Sequence, residues 1–339
     1  MAERDVKREE RNVAMLKRVG WFLVVGVLLV AGCGGGTEDA AGLRPVRLPM
    51  GFIADPQYAP FYVAVDKGYY AEEGMEIEFD YSFETDGIAL VGANELPFAI
   101  VSGEQVILAR SQGLPVVYVL EWFQRYPIAV ISRAEAGIDS PEDLAGRNVG
   151  LPGFFGASYV GFIGLLSANG LTQADVDANE IGFNQVESLR TGQSEAVVGY
   201  VNNEPVQLAA MGETINVIDV ADYTDMVANG VITNETILAE NPELVEGFVR
   251  ATLHGLADTL DNPEEAYEIS KQYVEGLDDG RMNVLEASLP LWQAETLGVT
   301  DAAAWEQTQA VLLEIGFLDE PVENLEAAFT NEFVLRVQP

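Results

Sequence analysis

The stretch EAVVGYVNNEPVQLAAMG, residues 195–212, closes a strand-like run on Tyr200 and Val201, then sets Asn202, Asn203 and Glu204 before Pro205 opens a helix. Two amides and a carboxylate at the end of a strand that reads as buried call for an explanation. Amides both donate and accept hydrogen bonds, and Glu204 can accept from an N–H or amino group. The trio suits a heterocycle carrying ring nitrogens and carbonyls. Helix capping accounts for one such residue, not for three.

Four further places put chemistry-bearing residues after a strand. DPQYAPF offers Tyr58 and Phe61 at a helix start. VSGEQ offers Ser102 and Glu104 around Gly103, where a missing side chain lets backbone approach a ligand. EWFQRY carries the adjacent pair Trp122 and Phe123. PGFFGAS carries Phe154, Phe155 and Ser158 before a helix N-terminus with free N–H groups. Strand alternation cannot send both members of an adjacent pair into one core, so at least one ring of each pair is expected to face a ligand. Flat π-systems stack on such rings.

The elements that must position these residues alternate. Strand-like VRLPMGF and MEIEFDYSF flank a helical segment stopped by Gly74. PFAIVSG, PVVYVLEWF and YPIAVISR follow, separated by helical runs. The alternation predicts α/β lobes with a largely parallel sheet. A second unit begins near Ala136, where Ser140 and Pro141 mark a helix start. ANGVITNETIL reads as a return crossing, and helices dominate from Asn241, with Trp292 and Trp305 expected to pack them. The expected organisation is a leader at 1–32, a tether at 33–45, lobe 1 at 46–134 and 231–339, and lobe 2 at 135–230.

Residues 1–32 hold six basic side chains, then an uncharged apolar run from Val19 to Val30. That run is short for a membrane span and has the layout of a secretory signal; Met15 is a second candidate start. The remaining chain has 12 basic and 50 acidic residues, a net −38, with Lys67 and Lys271 as its lysines. Such a surface excludes nucleic acid as a partner and repels free anions.

LLVAGC, ending at Cys33, resembles the lipobox of bacterial lipoproteins, which implies a diacylated Cys33 as mature N-terminus and a membrane anchor outside the cytoplasm. The body of the chain resembles the SsuA/THI5-like (NMT1-like) solute-binding proteins of ABC importers. YAPFYVAVDKGYYAEEGMEIEF, FAIVSGEQVILARSQGLPVV, SPEDLAGRNVGLPG, NEPVQLAAMG and NGVITNETILAENPELVEGFVRA occur in family order. The resemblance implies a periplasmic binding protein-like type II fold: two α/β lobes, two hinge crossings and a ligand clamped between them. It also implies a monomer that closes on its ligand and docks on a permease driven by an ATPase. The spacing is most similar to the vitamin and vitamin-precursor binders, with riboflavin favoured and the formylaminopyrimidine precursor of thiamine as the alternative. Alkanesulfonate or nitrate would need an anion clamp, for which Arg125 is the one obvious cleft cation.

Catalysis has little to build on. The related thiamine-pyrimidine synthases rely on a cysteine-rich segment and a reactive histidine. Here the single cysteine belongs to the anchor motif, and the single histidine, His254, falls within a helix. No phosphate-binding loop, dinucleotide fingerprint or calcium loop occurs. A non-enzymatic binder without cofactor or metal is expected.

Overall fold

The computed structural model describes residues 42–339. The leader, Cys33 and most of the tether lie outside the described residues. The tether's last residues are already structured. Strand β1 (Arg44–Gly51) starts inside it and pairs in parallel with β2 (Met75–Phe83), Arg44 opposite Met75.

Three sheets follow from the apolar runs. β1 and β2 form the first. The second has the order β3 (Ala99–Ser102), β10 (Asn229–Asn234), β4 (Val116–Glu121). β1 lies against β3, so these two sheets share one lobe. The third sheet has five strands in the order β7 (Asp177–Glu180), β6 (Asn148–Leu151), β8 (Ala196–Tyr200), β5 (Ile128–Arg133), β9 (Ile215–Asp219). Every residue of β4 and β10 is buried, and β5 and β8 are buried but for their last residues. Such continuous burial marks strands covered by helices on both faces. The architecture is two α/β lobes, linked from β4 to β5 and again from β9 to β10.

Two expectations are corrected. β5, assigned by sequence to the first lobe, pairs antiparallel with β8 and β9 in the five-stranded sheet. Nor is the pairing largely parallel: the second sheet is antiparallel and the five-stranded sheet is mixed. β10 runs antiparallel to both β3 and β4, while β6 is parallel to β7 and β8. The antiparallel strands are the two that follow a crossing, because the chain enters each sheet from the opposite lobe.

The C-terminal helices back the first lobe. Pro242–Asp261 lies along Ala59–Asp66. Trp305 is fully buried, donates from Nε1 to Thr300 at 2.9 Å and stacks on Phe329. Trp292, equally buried, packs against Trp122 and Phe123. The C-terminal helices therefore support the floor of the cleft. Among the described residues no helix is long and apolar enough to cross a membrane.

Candidate functional site

The strand ends of the two lobes converge on one cavity, with about 680 Å³ of space between atoms, counted to its open mouth. The first lobe contributes Tyr58 and Gln57 from the turn after β1, Glu84 after β2, Trp122 and Phe123 after β4, and Asn229 at the start of β10. The second lobe contributes Phe155 and Ser158 after β6, Phe183 and Gln185 after β7, and Tyr200, Asn203 and Glu204 after β8. This is the place where open α/β sheets bind ligands.

The floor is aromatic. Tyr58 lies 5.3 Å from Trp122 with the rings tilted by 30°, and Phe123 meets Trp122 edge-on at 4.6 Å. The backbone N–H groups of Trp122 and Phe123 both donate to the Asn229 carbonyl at 3.0 Å, which ties the floor to the returning strand. Trp122 Nε1 is buried without a partner, so packing alone holds that ring. Both members of this pair reach the cavity because β4 ends at Glu121 and alternation ends with it.

A polar chain crosses the hinge. Tyr200 donates to Asn229 Oδ1 at 2.9 Å, Asn229 Nδ2 donates to Glu84 Oε1 at 3.0 Å, and Ser102 Oγ lies 2.7 Å from Glu84 Oε2. Ser102 also contacts Glu104. One hydroxyl proton cannot serve two carboxylates, so one of the two carboxyls must carry a proton. Burial accordingly raises Glu84, and burial together with the Glu84 charge raises Glu104.

Glu204 is buried too. Its Oε2 accepts from the Tyr200 backbone N–H at 2.7 Å, and burial lifts its pKa to about 7 against that hydrogen bond. Gly199 makes the approach possible: a Cβ there would stand 2.4 Å from Glu204 Oε2. Gly199→Ala is expected to break the contact and lower stability by about 1–3 kcal/mol. A shift of the urea midpoint would show it; an unchanged midpoint would mean that Glu204 moves aside freely.

Five sequence candidates fall elsewhere. Phe61 is fully buried behind Trp122, which it meets edge-on at 5.1 Å. Ser102 and Glu104 sit behind Glu84, so that Glu84 is the carboxyl facing the cavity. Gly103 serves packing rather than a ligand, since a Cβ there would stand 2.3 Å from Val227. Phe154 turns to solvent and packs on Tyr159. Phe155 has extended backbone, which points neighbouring side chains to opposite sides. Asn202 is buried outside the cavity and joins the lobes, donating to Ser288 at 2.7 Å and to Gln57 at 3.4 Å.

Other residues went unremarked in the sequence. Glu84, Phe183 and Asn229 follow or begin strands β2, β7 and β10, and the strand-end rule extended to every strand would have found them. Phe83 and Phe52 from the first lobe meet Phe155 and Phe183 from the second across the cleft mouth. Phe52 and Phe183 are 4.6 Å apart, Phe83 and Phe155 5.3 Å apart, both edge-on.

Among the described residues no lysine or arginine lines the cavity. Arg125, the expected cleft cation, is paired with Asp219 and Asp222 at 2.9 and 2.8 Å. His254 is away from the site, against Tyr69. Among the described residues no cluster of three or more His, Cys, Asp or Glu is placed to hold a metal.

Two α/β lobes joined by two crossings around an interlobe cavity are the periplasmic binding protein fold. The periplasmic aliphatic sulphonate binding protein SsuA of Escherichia coli aligns with TM-score 0.68 over 85% of this chain and 92% of its own, at 14% identity, a likeness of fold alone. The chain belongs to the NMT1/THI5-like family, whose pattern matches residues 55–266. It is 43% identical over 304 residues to the riboflavin-binding protein RibY of Chloroflexus aurantiacus, covering 86% of each chain. It is 30% identical over 316 residues to a formylaminopyrimidine-binding protein of Halalkalibacterium halodurans, covering 88% of this chain and 94% of the relative.

Proposed function

We propose that this protein is the extracytoplasmic solute-binding component of an ABC importer, that it captures riboflavin in the cavity between its lobes, and that diacylated Cys33 anchors it to the membrane. The observation that carries the reading is the cavity itself: an aromatic floor of Tyr58, Trp122 and Phe123, a polar rim of Asn203, Glu204, Asn229 and Gln185, and no cation. A flat, uncharged, nitrogen-rich ring stacks on the first and hydrogen-bonds the second. An anion finds no cation there to offset its charge. The RibY relative supports riboflavin over other flat rings. The second relative keeps the formylaminopyrimidine precursor as the alternative occupant of the same site.

Binding rather than catalysis is supported by the same geometry. Among the described residues the lining holds no histidine or cysteine, and its two carboxyls, Glu84 and Glu204, are engaged by Asn229 and by the Tyr200 backbone. Lobe closure supplies the mechanism: a ligand that touches both walls favours the closed state, which the permease recognises.

A flavin seated against Trp122 loses its fluorescence to the indole. Titrating protein into riboflavin is expected to quench the emission saturably at one site per chain. Emission that stays constant at micromolar protein would overturn the assignment.

A further inference from the structure

A second chamber adjoins the cavity. It has about 680 Å³ of space between atoms, counted out into open solvent, and shares Phe52, Phe183, Gln185, Asn203 and Glu204 with the first. The two therefore adjoin along the Phe52–Phe183 ring pair and the start of the helix Glu204–Ala210. Their chemistry differs. Beyond the shared residues the second chamber adds the polar and charged Asp55, Arg281, Glu187, Arg190, Asn184 and Gln207 beside the aliphatic Ile53, Val186 and Met211, and no aromatic ring.

The charges there are already matched. Asp55, buried, pairs with Arg281, and Arg190 pairs with Glu213 at 3.2 Å. Arg281 Nε remains buried without a partner, an N–H with nothing to donate to. What the chamber offers a visitor is mixed: amide donors and acceptors, carboxylate acceptors and one unused guanidinium N–H. Hydroxyl groups, which donate and accept at once, satisfy such a lining. A phosphate is disfavoured, because it meets Asp55, Glu187 and Glu204 while each arginine already has an acidic partner to neutralise.

We infer that the second chamber receives an uncharged, polyhydroxylated chain attached to the ring held in the first. This rests on the flavin reading above and sharpens it: the ligand is a ring with a polyol tail, recognised at both ends, and the phosphorylated form is rejected.

Three flavins with one ring system test it: lumiflavin, which carries a methyl group in place of the chain; riboflavin; and flavin mononucleotide. Equilibrium titration of the full chain is expected to give riboflavin at least about tenfold tighter binding than either of the others. Arg281→Met should bring riboflavin toward lumiflavin and leave lumiflavin unchanged. Asn184→Ala, an exposed and conservative change, should do the same more weakly if the Arg281 variant folds poorly. Lumiflavin binding as tightly as riboflavin would overturn the tail chamber and leave the ring site standing. Flavin mononucleotide binding tightest would make the chamber an anion site. Failure of all three to bind would remove the functional reading itself.

Discussion

Trp122→Ala is expected to abolish measurable riboflavin binding and to lower stability by about 3–5 kcal/mol, the cost of deleting a buried aromatic. The ring is 3% exposed and touches Tyr58, Phe61, Phe123 and Trp292, so its loss opens a hole under the cavity floor. Trp122→Phe separates the two effects. The indole N–H has no partner, so the exchange sacrifices no hydrogen bond. Stability should return most of the way, while affinity and flavin quenching recover only in part. Denaturant melts paired with fluorescence titrations read both quantities. Wild-type affinity in the alanine variant would remove Trp122 from the ligand's surroundings.

The second large effect is on stability against pH. Burial raises Glu121 to about 8 and Glu204 to about 7, and it raises Glu84 and Glu104 as well. A carboxyl whose folded pKa exceeds its unfolded value holds its proton more tightly when folded. Its stabilising contribution is complete below the unfolded value near 4.5 and is lost as pH rises through the folded one. Each such group removes about 1.4 kcal/mol per pH unit inside that window. The melting temperature should therefore fall, on the order of 10 °C, between pH 5 and pH 8.5. Glu121→Gln isolates one contributor outside the cavity. It keeps an acceptor for the Ala228 N–H, 3.3 Å away, and should flatten the profile. A melting temperature that holds steady or climbs across this range would show these carboxyls to be better solvated than their burial implies.

The sequence carried the architecture further than the detail of the site. Strand runs such as VVYVLE and IAVISR are legible because continuous apolar β-branched stretches have few alternatives. Which sheet each run joins is not legible. β4 and β5 are equally apolar, stand six residues apart, and are separated only by long-range pairing, β4 with β10 and β5 with β8 and β9. The cleft loops followed from one rule about strand ends, and that rule put Tyr58, Trp122, Phe123, Phe155, Ser158, Tyr200, Asn203 and Glu204 on the cavity wall. It failed where neighbours compete for one direction. Phe61 lies within a helix whose inward face is core. Ser102 and Glu104 lost the front position to Glu84, 18 residues earlier than Ser102. Asn202, one residue from Asn203, points the other way and fastens the lobes. Such choices depend on partners far along the chain, and local pattern does not encode them.

Capture of a neutral aromatic ring between the lobes is the central claim, and titration calorimetry across four ligands tests it most directly. Riboflavin, the formylaminopyrimidine precursor, taurine and nitrate would be compared at one pH and salt concentration. Saturable one-to-one heat with riboflavin, and none with taurine or nitrate, is the predicted result; binding of taurine or nitrate in the absence of any riboflavin binding would contradict it.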